Sequence, residues 1–316
     1  MIELDIARHS NLIDPKLHIW GWEIPVYLFL GGMAAGLMIV SALLQRRGDE
    51  RSEAARWLPF VAPVLVSLGM GALFLDLSHK LYVWRFYLAF RWTSPMSWGA
   101  WILLVIYPVT LLQGLASISD AQATWIGGKL LAVDKSDRLA RAVDAARRWA
   151  RARAPGIGTA AMVSGAALGV YTGILLSTLG ARALWGSALL GPLFLVSGLS
   201  TGAAAAMLLP VNEEERTLLA TWDLVAIGVE LLFLMLILLG FGTDDASSRA
   251  AVALMLGGPF TAPFWVFVVA AGLVVPAVLE LLEFGYHLKR SVVTPALVLV
   301  GGLALRWILV AAGQGG

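Results

Sequence analysis

Eight long apolar runs divide the sequence, and they constrain its fold more than any other feature does. They lie near residues 23–45, 57–77, 98–117, 157–180, 187–209, 218–241, 262–284 and 292–311. Each run is long enough to cross about 30 Å of hydrocarbon as an α-helix. Because the apolar residues are continuous rather than alternating, the strands of a membrane β-barrel are excluded. The sequence therefore predicts an all-α integral membrane protein with eight transmembrane helices.

The composition agrees with this class. Hydrophobic residues make up 59% of the 316 residues and charged residues 14%, whereas a soluble domain carries about 25% charged residues. The chain has no cysteine, which excludes a cysteine-ligated iron–sulfur cluster, a disulfide framework and a thiol nucleophile in it. The net charge of +2 gives no indication of nucleic-acid binding. The N-terminal segment lacks the apolar core and cleavage site of a signal peptide, so the first span is expected to be retained.

Basic residues are concentrated in two connections between spans. The 45–57 connection carries Arg46, Arg47, Arg51 and Arg56, and the 118–156 loop carries Lys129, Lys135, Arg138, Arg141, Arg147, Arg148, Arg151 and Arg153. Since such loops remain in the cytoplasm, both termini and the 78–97 and 242–261 loops are expected on the periplasmic side. The Asp134–Arg153 segment has the pattern of an amphipathic basic helix on the inner headgroups. Its alternative role is that of an orientation determinant alone.

The two halves of the chain resemble each other. Span one contains GMAAG (Gly32–Gly36) and span five contains GLSTG (Gly198–Gly202), each preceded by Leu-Phe-Leu. Four helices per repeat is an even number, so the halves share one orientation. We expect two tandem four-helix bundles, residues 1–180 and 181–316, and we expect the glycines to let helices approach closely.

Glu230 lies in the middle of the apolar run Leu224–Gly240, where a carboxyl group is energetically unfavourable. An acid at the centre of a membrane span costs roughly 2.5–3.5 kcal/mol. Asp223, seven residues earlier, lies on nearly the same face of the helix. Two acids on one stripe indicate a protein that handles protons, cations or a polar ligand inside the bilayer. The alternative is a structural carboxylate paired with an arginine or a backbone group of a neighbouring helix.

Other ionisable residues lie near the ends of the later spans. Glu280, Glu283 and His287 share one face at the inner end of span seven, and Arg306 lies towards the outer end of span eight. Together with the two acids of span six, the acids of span seven and Arg306 suggest a proton path from the cytoplasm to an outward-facing site. For Glu280 and Glu283, the alternative is a position at the level of the lipid headgroups.

Histidines are too few and too peripheral for a haem between the helices. The chain has His9, His18, His79 and His287, and all of them lie away from mid-membrane. A bis-histidine haem b needs two histidines that face each other. A mixed site that uses His18 and His79 at the outer surface is the remaining alternative.

The outer surface is rich in aromatic residues. They are Trp20, Trp22 and Tyr27 at the start of span one, and Tyr82, Trp84, Phe86, Tyr87, Phe90, Trp92 and Trp98 around the 78–97 loop. An interfacial aromatic belt explains most of them. The alternative is that some form the wall of an amphipathic quinone pocket, in which a few polar groups lie among apolar ones. Those polar groups would be Glu23, Tyr27, Asp76, His79 and Tyr171.

Four segments have a more specific pattern. They are Trp20–Gly36 (WGWEIPVYLFLGGMAAG), Leu75–Leu77 (LDL), Ser94–Gly99 (SPMSWG), and Tyr171–Leu176 (YTGILL) with Trp185 and Gly191–Gly202 (GPLFLVSGLSTG) behind it. In these segments the protein resembles the polysulfide reductase membrane-subunit family, the NrfD-like family. The resemblance extends over all eight spans.

This resemblance implies a haem-free membrane subunit that binds menaquinone or ubiquinone near the periplasmic face of the bacterial inner membrane. It implies electron exchange with a ferredoxin-like partner that carries four iron–sulfur clusters, alongside a molybdopterin catalytic subunit or a multihaem cytochrome. Such a complex serves anaerobic respiration. A secondary transporter or ion-translocating protein with a mid-membrane acidic site is the alternative, because tandem repeats and buried acids also occur there.

The resemblance also assigns residues. Tyr171 matches a tyrosine that contacts the quinone in the family, and Tyr27 stands where one branch has a quinone-contacting histidine. The acids of span six resemble positions assigned to proton conduction. The residues expected to bind or react with the quinone are Trp22, Glu23, Tyr27, Asp76, His79 and Tyr171, of which Glu23, Tyr27, Asp76 and Tyr171 form the catalytic set.

Overall fold

The protein forms long helices joined by short connections. The computed structural model describes residues 20–48, 51–77, 79–88, 90–133, 138–178, 183–243, 246–286 and 291–315, and these ranges contain no strand. Within them, eight helices are long and apolar enough to cross a membrane: Glu23–Gln45, Glu53–Asp76, Pro95–Ser117, Ala154–Ser177, Leu190–Met207, Glu213–Thr243, Thr261–Tyr286 and Val293–Gln314. They are numbered here as spans one to eight. The prediction of eight transmembrane helices is confirmed, with ends that differ by a few residues.

Capping groups determine where several spans begin. The Ser52 hydroxyl accepts a hydrogen bond from the Ala55 amide at 3.1 Å before span two. Before span six, the Asn212 side chain accepts from the Glu215 amide at 2.8 Å, and the Glu215 carboxylate accepts from the Asn212 amide at 3.0 Å. This reciprocal arrangement is a capping box. It explains why span six starts before its apolar run does.

Spans one and five cross at very short distance. A Cβ atom at Gly198 would lie 2.6 Å from the Gly32 carbonyl oxygen, and one at Gly36 would overlap the Gly198 carbonyl oxygen. Any side chain at these positions would force the two backbones apart. The expected role of the glycines in close helix approach is therefore confirmed. Span one also contacts spans two, four and eight, and span five contacts spans four, six and eight.

The beginning and the end of the described chain meet at one end of the helices. The Trp20 amide donates to the Gln314 side chain at 2.9 Å, and that side chain donates back to the Trp20 carbonyl at 3.1 Å. The Trp20 ring stacks on Trp185 with centroids 5.0 Å apart. The Trp185 indole donates to the Leu309 carbonyl at 2.8 Å. This end of the molecule is called the aromatic end below.

Charged and polar contacts join the connections at the opposite end, called the basic end. Arg47, after span one, forms an ion pair with Glu214 at the start of span six. The Ser52 amide donates to the buried Glu215 carboxylate at 2.8 Å. The connection between the first two spans is thus attached to the first turn of span six.

Two further helices, Asp120–Val133 and Arg138–Ala152, lie at the basic end. The second corresponds to the amphipathic helix predicted for Asp134–Arg153, of which residues 134–137 lie outside the described residues. Arg147 is buried and forms an ion pair with Asp120. The Arg147 guanidinium, followed by that of Arg151, lowers the pKa of the Asp120 carboxyl. These contacts hold the amphipathic helix against the end of span three.

Span seven contains a π-helical stretch. It covers Phe264–Val274, and the Val275 amide donates to the Ala270 carbonyl five residues earlier. A Cβ atom at Gly272 in this stretch would lie 2.5 Å from the Gly301 Cα of span eight. The wider turn changes which face of the following helix points inward, and π-helical turns are frequent near functional residues.

Candidate functional site

A cavity of about 870 Å³ lies at the aromatic end between spans one to four. Its volume falls in the range of about 300–1,000 Å³ that small-molecule sites occupy. The walls are mostly apolar side chains of spans two and three. The polar side chains in the wall are few, namely Tyr27, Asp76, Tyr87, Ser94, Tyr171 and Thr178.

Two tyrosines meet at the inner side of this cavity. Tyr27 of span one and Tyr171 of span four are 4% and 6% exposed, and their hydroxyl groups are electrostatic neighbours. Gly99 of span three makes room for one of them, because a Cβ atom at that position would overlap the Tyr171 ring. The sequence placed both tyrosines in one pocket, and the structure brings them together.

Asp76 is the third expected residue in the cavity wall. It is the last residue of span two, and its carboxyl is an electrostatic neighbour of Glu23. Glu23 itself is not part of the wall, since its carboxylate lies against Gly21. Trp22 is 49% exposed and is also outside the wall.

Helix geometry explains the position of Trp22. It lies two residues from the wall residue Ile24, which is about 200° around the helix. Trp20 contributes to the wall instead. The expected contacts of Trp22 and Glu23 with the cavity are therefore not observed.

His79 lies in a second, adjacent cavity of about 530 Å³. Arg85 and Arg91 line the same cavity, and the Arg85 guanidinium lies 4.6 Å from the centre of the Tyr82 ring. The two cavities share the wall residues Leu77, Phe86, Ser94 and Met96. The apolar cavity is thus bordered by a positively charged one. Sequence reasoning missed both arginines, although they were visible inside the aromatic loop.

A group of buried polar side chains lies between spans five, six and eight. Glu230 and Arg306 are 2% and 0% exposed. Glu230 interacts with the charge of Arg306 and with the Ser197 hydroxyl. Arg306 donates to Ser197, to the Gly302 carbonyl at 3.2 Å and to the Phe194 carbonyl at 3.3 Å. Arg306, which the sequence placed towards the outer end, is therefore an electrostatic neighbour of the middle acid.

Asp223 lies next along the same face of span six. The Ser200 hydroxyl donates to Asp223 Oδ1 at 2.5 Å. The Asp223 carboxyl faces that of Glu280 across the contact between spans six and seven. Glu280 is 1% exposed, so its side chain is buried between the helices.

Glu283 is only partly buried, and its carboxylate accepts from the Ser291 amide at 3.1 Å near the basic end. The sequence also singled out His9, His18 and His287, which lie outside the described residues. Across the described part of the chain, no group of three or more His, Asp or Glu side chains is placed to hold a metal ion.

Sequence reasoning missed the two serines of span five. Ser197 and Ser200 are three residues apart and so share a helix face, while Glu230 and Asp223 are seven apart on the antiparallel span six. Each serine thereby meets one acid. The sequence did contain a signal for these serines. They lie beside the glycines of the GLSTG motif, and those glycines bring span five into close contact with its neighbours.

Comparisons with known proteins agree over nearly the whole sequence. Residues 8–315 match the family model "Polysulphide reductase, NrfD". Protein NrfD of Escherichia coli (strain K12) is 32% identical, and the match covers 94% of this protein and 95% of that one. A polysulfide reductase chain of Wolinella succinogenes is 28% identical, and the match covers 94% of both proteins. A selenate reductase subunit of Mesobacillus selenatarsenatis is 25% identical, and the match covers 92% of this protein and 73% of that one.

Proposed function

We propose, since the protein belongs to the polysulphide reductase NrfD family, that it is the quinone-reactive membrane subunit of a respiratory oxidoreductase complex. It is a multi-pass protein of the bacterial inner membrane, and it belongs to a family of membrane subunits of reductases. The observation that carries the proposal is the apolar cavity whose wall contains the hydroxyls of Tyr27 and Tyr171 and the carboxyl of Asp76.

The cavity fits a quinone in size and chemistry. A quinone is a flat apolar ring with two carbonyl oxygens, and a site for it needs apolar walls with a few donors. A tyrosine hydroxyl can donate to a carbonyl, and the contact with Gly99 holds the Tyr171 ring in place. A bound quinol supplies two electrons and two protons. In our proposal Tyr27 and Tyr171 orient the ring, Asp76 accepts one of the two protons at the end of span two, and the other passes to water at the aromatic end. Menaquinone and ubiquinone both meet these requirements.

The electrons need a carrier outside this protein, because the sequence has no cysteine to ligate an iron–sulfur cluster. We propose that a ferredoxin-like subunit with four clusters docks at the aromatic end, together with a molybdopterin subunit or a multihaem cytochrome. Exposed aromatic residues support this surface, with Trp84 and Trp92 beside Arg85 and Arg91. Tryptophan and arginine are enriched where proteins bind each other.

We propose that the aromatic end faces the periplasm and that the protein consists of two tandem bundles, residues 1–180 and 181–316. The basic end carries the lysine- and arginine-rich connections, and such loops stay in the cytoplasm. Each of spans one to four contacts its sequence neighbour, and span one also contacts span four. Spans five to eight repeat this set of contacts.

Blocking the cavity tests the proposed quinone site. Gly71 lines the cavity, and a Cβ atom there would meet no atom within 4 Å. A Gly71→Leu variant should fold normally and fill the space that the quinone ring needs. We expect the quinone concentration for half-maximal turnover of the assembled complex to rise at least about tenfold, which corresponds to about 1.4 kcal/mol.

The matched control is Gly240→Leu. Gly240 lies on the exposed face of span six, and a Cβ atom there also meets nothing within 4 Å. This variant should turn over quinol like the wild type. Wild-type quinone kinetics in Gly71→Leu would disprove the assignment of this cavity.

We further propose that the acids carry protons between the basic end and the middle of the membrane. The residues are Glu283, Glu280, Asp223, Glu230 and Arg306, in order from the basic end. A Glu230→Gln variant keeps the shape of the side chain and removes its ability to exchange a proton. We expect quinol-linked proton uptake and kcat to fall by about tenfold or more with an unchanged KM for quinol.

The control for this prediction is Glu214→Gln, which changes an exposed acid at the basic end that pairs with Arg47. It should leave both rates unchanged. Equal proton uptake in Glu230→Gln and wild type would mean that Glu230 is a structural carboxylate and does not transfer protons.

A further inference from the structure

We propose that Asp223 and Glu280 form a carboxyl pair that binds one shared proton between spans six and seven. This inference deepens the proton-transfer part of the proposed function and rests on it for its biological role. The pair was not expected from the sequence, which placed the two acids near the inner ends of separate spans and proposed no contact between them. The packing of spans five, six and seven brings them together.

The geometry leaves the facing oxygen atoms with only each other. Asp223 is fully buried and Glu280 is 1% exposed. Asp223 Oδ1 accepts from Ser200, while Asp223 Oδ2 and both Glu280 carboxyl oxygens are buried and accept a hydrogen bond from no donor among the described residues. Buried polar atoms are almost always hydrogen-bonded. Two carboxyls can satisfy each other only if one of them carries a proton.

Among the residues that the structure describes, no cation is an electrostatic neighbour of either acid. Ser200 of span five faces the pair with a neutral hydroxyl. The charged neighbours are the acids Glu230 on span six and Glu283 on span seven. Arg306 of span eight is engaged with Ser197 and Glu230. Two adjacent carboxylates in such a site repel each other strongly, and such pairs hold one proton in common.

The hydrogen bond from Ser200 decides which acid keeps the proton. A hydroxyl that donates to Asp223 Oδ1 stabilises the ionised form of this carboxyl. Glu280 then carries the proton and donates it to Asp223 Oδ2. The pair therefore has a defined polarity, with Asp223 as the acceptor of two hydrogen bonds and Glu280 as the acid.

The location gives the pair a role as a proton relay. Glu283, one turn from Glu280 towards the basic end, is partly exposed, so protons can enter from that side. Glu230 lies two turns from Asp223 on the same face of span six. A pair that always holds one proton can accept a second from one side and release one to the other without both acids being charged.

Infrared spectroscopy of the full-length protein in lipid nanodiscs tests the pair directly at neutral pH, without quinol turnover. The observable is the carbonyl stretching band of a protonated carboxyl, recognised by its shift in D₂O. Difference spectra against wild type should show the loss of one such band in Glu280→Gln. In Asp223→Asn the band should persist and move to higher frequency, because the charged acceptor has been replaced by a neutral amide.

Two further variants keep the test decisive. Ser200→Ala removes only the donor to Asp223 and should shift the same band, even if Asp223→Asn does not fold. Glu283→Gln, a neighbouring acid with a backbone partner, should keep the wild-type band. An unchanged band in Glu280→Gln or in Ser200→Ala would overturn the pair. A second result would also overturn the pair. If the wild-type protein lacks the band and its thermal stability rises with NaCl but not with KCl, the two acids form a sodium site.

These results are separate from those for the proposed function. A protein with the band but with wild-type turnover in Glu230→Gln would have the pair without proton conduction through span six. A protein without the band but with impaired turnover in Gly71→Leu would have the quinone site without the pair.

Discussion

Replacement of Arg306 by methionine should destabilise the protein by about 3–5 kcal/mol, the usual cost of leaving a buried charge without compensation. Methionine fills a similar volume but leaves the Glu230 carboxylate without its counter-charge in a fully buried position. It also removes the hydrogen bonds to Ser197 and to the Gly302 and Phe194 carbonyls. The measurement is the midpoint and free energy of unfolding in a mixed-micelle denaturation series.

The double variant Glu230→Gln/Arg306→Met separates charge compensation from the other contacts of Arg306. If the uncompensated carboxylate causes the loss, the neutral glutamine should restore most of the stability. The control is Arg148→Met at the basic end, where an exposed pair with Asp144 contributes only about 0–1 kcal/mol. If the double variant is as unstable as Arg306→Met alone, the hydrogen bonds to span five, and not the charge of Glu230, explain the effect.

The second large effect is expected for Gly198→Leu. A side chain at this position meets the backbone of span one, because even a Cβ atom would lie 2.6 Å from the Gly32 carbonyl oxygen. Overpacking of side chains costs about 1–3 kcal/mol, and here the obstacle is a helix backbone that contacts four other spans. We expect a loss above about 3 kcal/mol, seen as little folded protein after extraction from the membrane.

Gly228→Leu is the matched control, since it adds the same side chain within span six where a Cβ atom meets nothing within 4 Å. This variant should be extracted in the same amount as wild type. Normal yield and stability of Gly198→Leu would show that spans one and five can separate without loss of the fold.

The architecture was largely predictable, because it depends on properties that act along one helix. A span of this length needs only a continuous apolar run, and all eight runs became helices. The glycines of spans one and five also gave a local signal, since small residues spaced four apart form a groove on one face. The sequence did not predict that the glycines of span one contact those of span five.

The candidate site was less predictable, because it depends on how each helix is rotated against its neighbours. Trp22 was expected at the quinone, but the rotation of span one turns Trp20 and Tyr27 to the cavity instead. Glu280 was ambiguous because an acid near the inner end of a span can lie at headgroup level, and the sequence also did not show that the π-helical stretch Phe264–Val274 changes the inward face of span seven. A regular 3.6-residue period carried through that stretch gives the wrong inward face for the rest of the helix.

Arg306 shows a different limit of sequence reasoning. Its Cα position suggested a depth away from Glu230, but a long arginine side chain extends its charge about one helical turn from its own backbone. Ser197 supplies the hydroxyl that makes this reach favourable. The sequence of span eight does not show in which direction the Arg306 side chain points, nor that Ser197 of span five lies beside it.

The hydrogen bonds between Trp20 and Gln314 make the described chain nearly circular. Residues almost three hundred positions apart in sequence are direct neighbours, so a short linker could join the two ends without crossing the membrane. New termini could then be opened between spans four and five, which would exchange the order of the two four-span halves. Natural fusions and engineered permutations of this architecture are therefore geometrically accessible, provided that the tryptophan at the junction keeps its place beside the cavity.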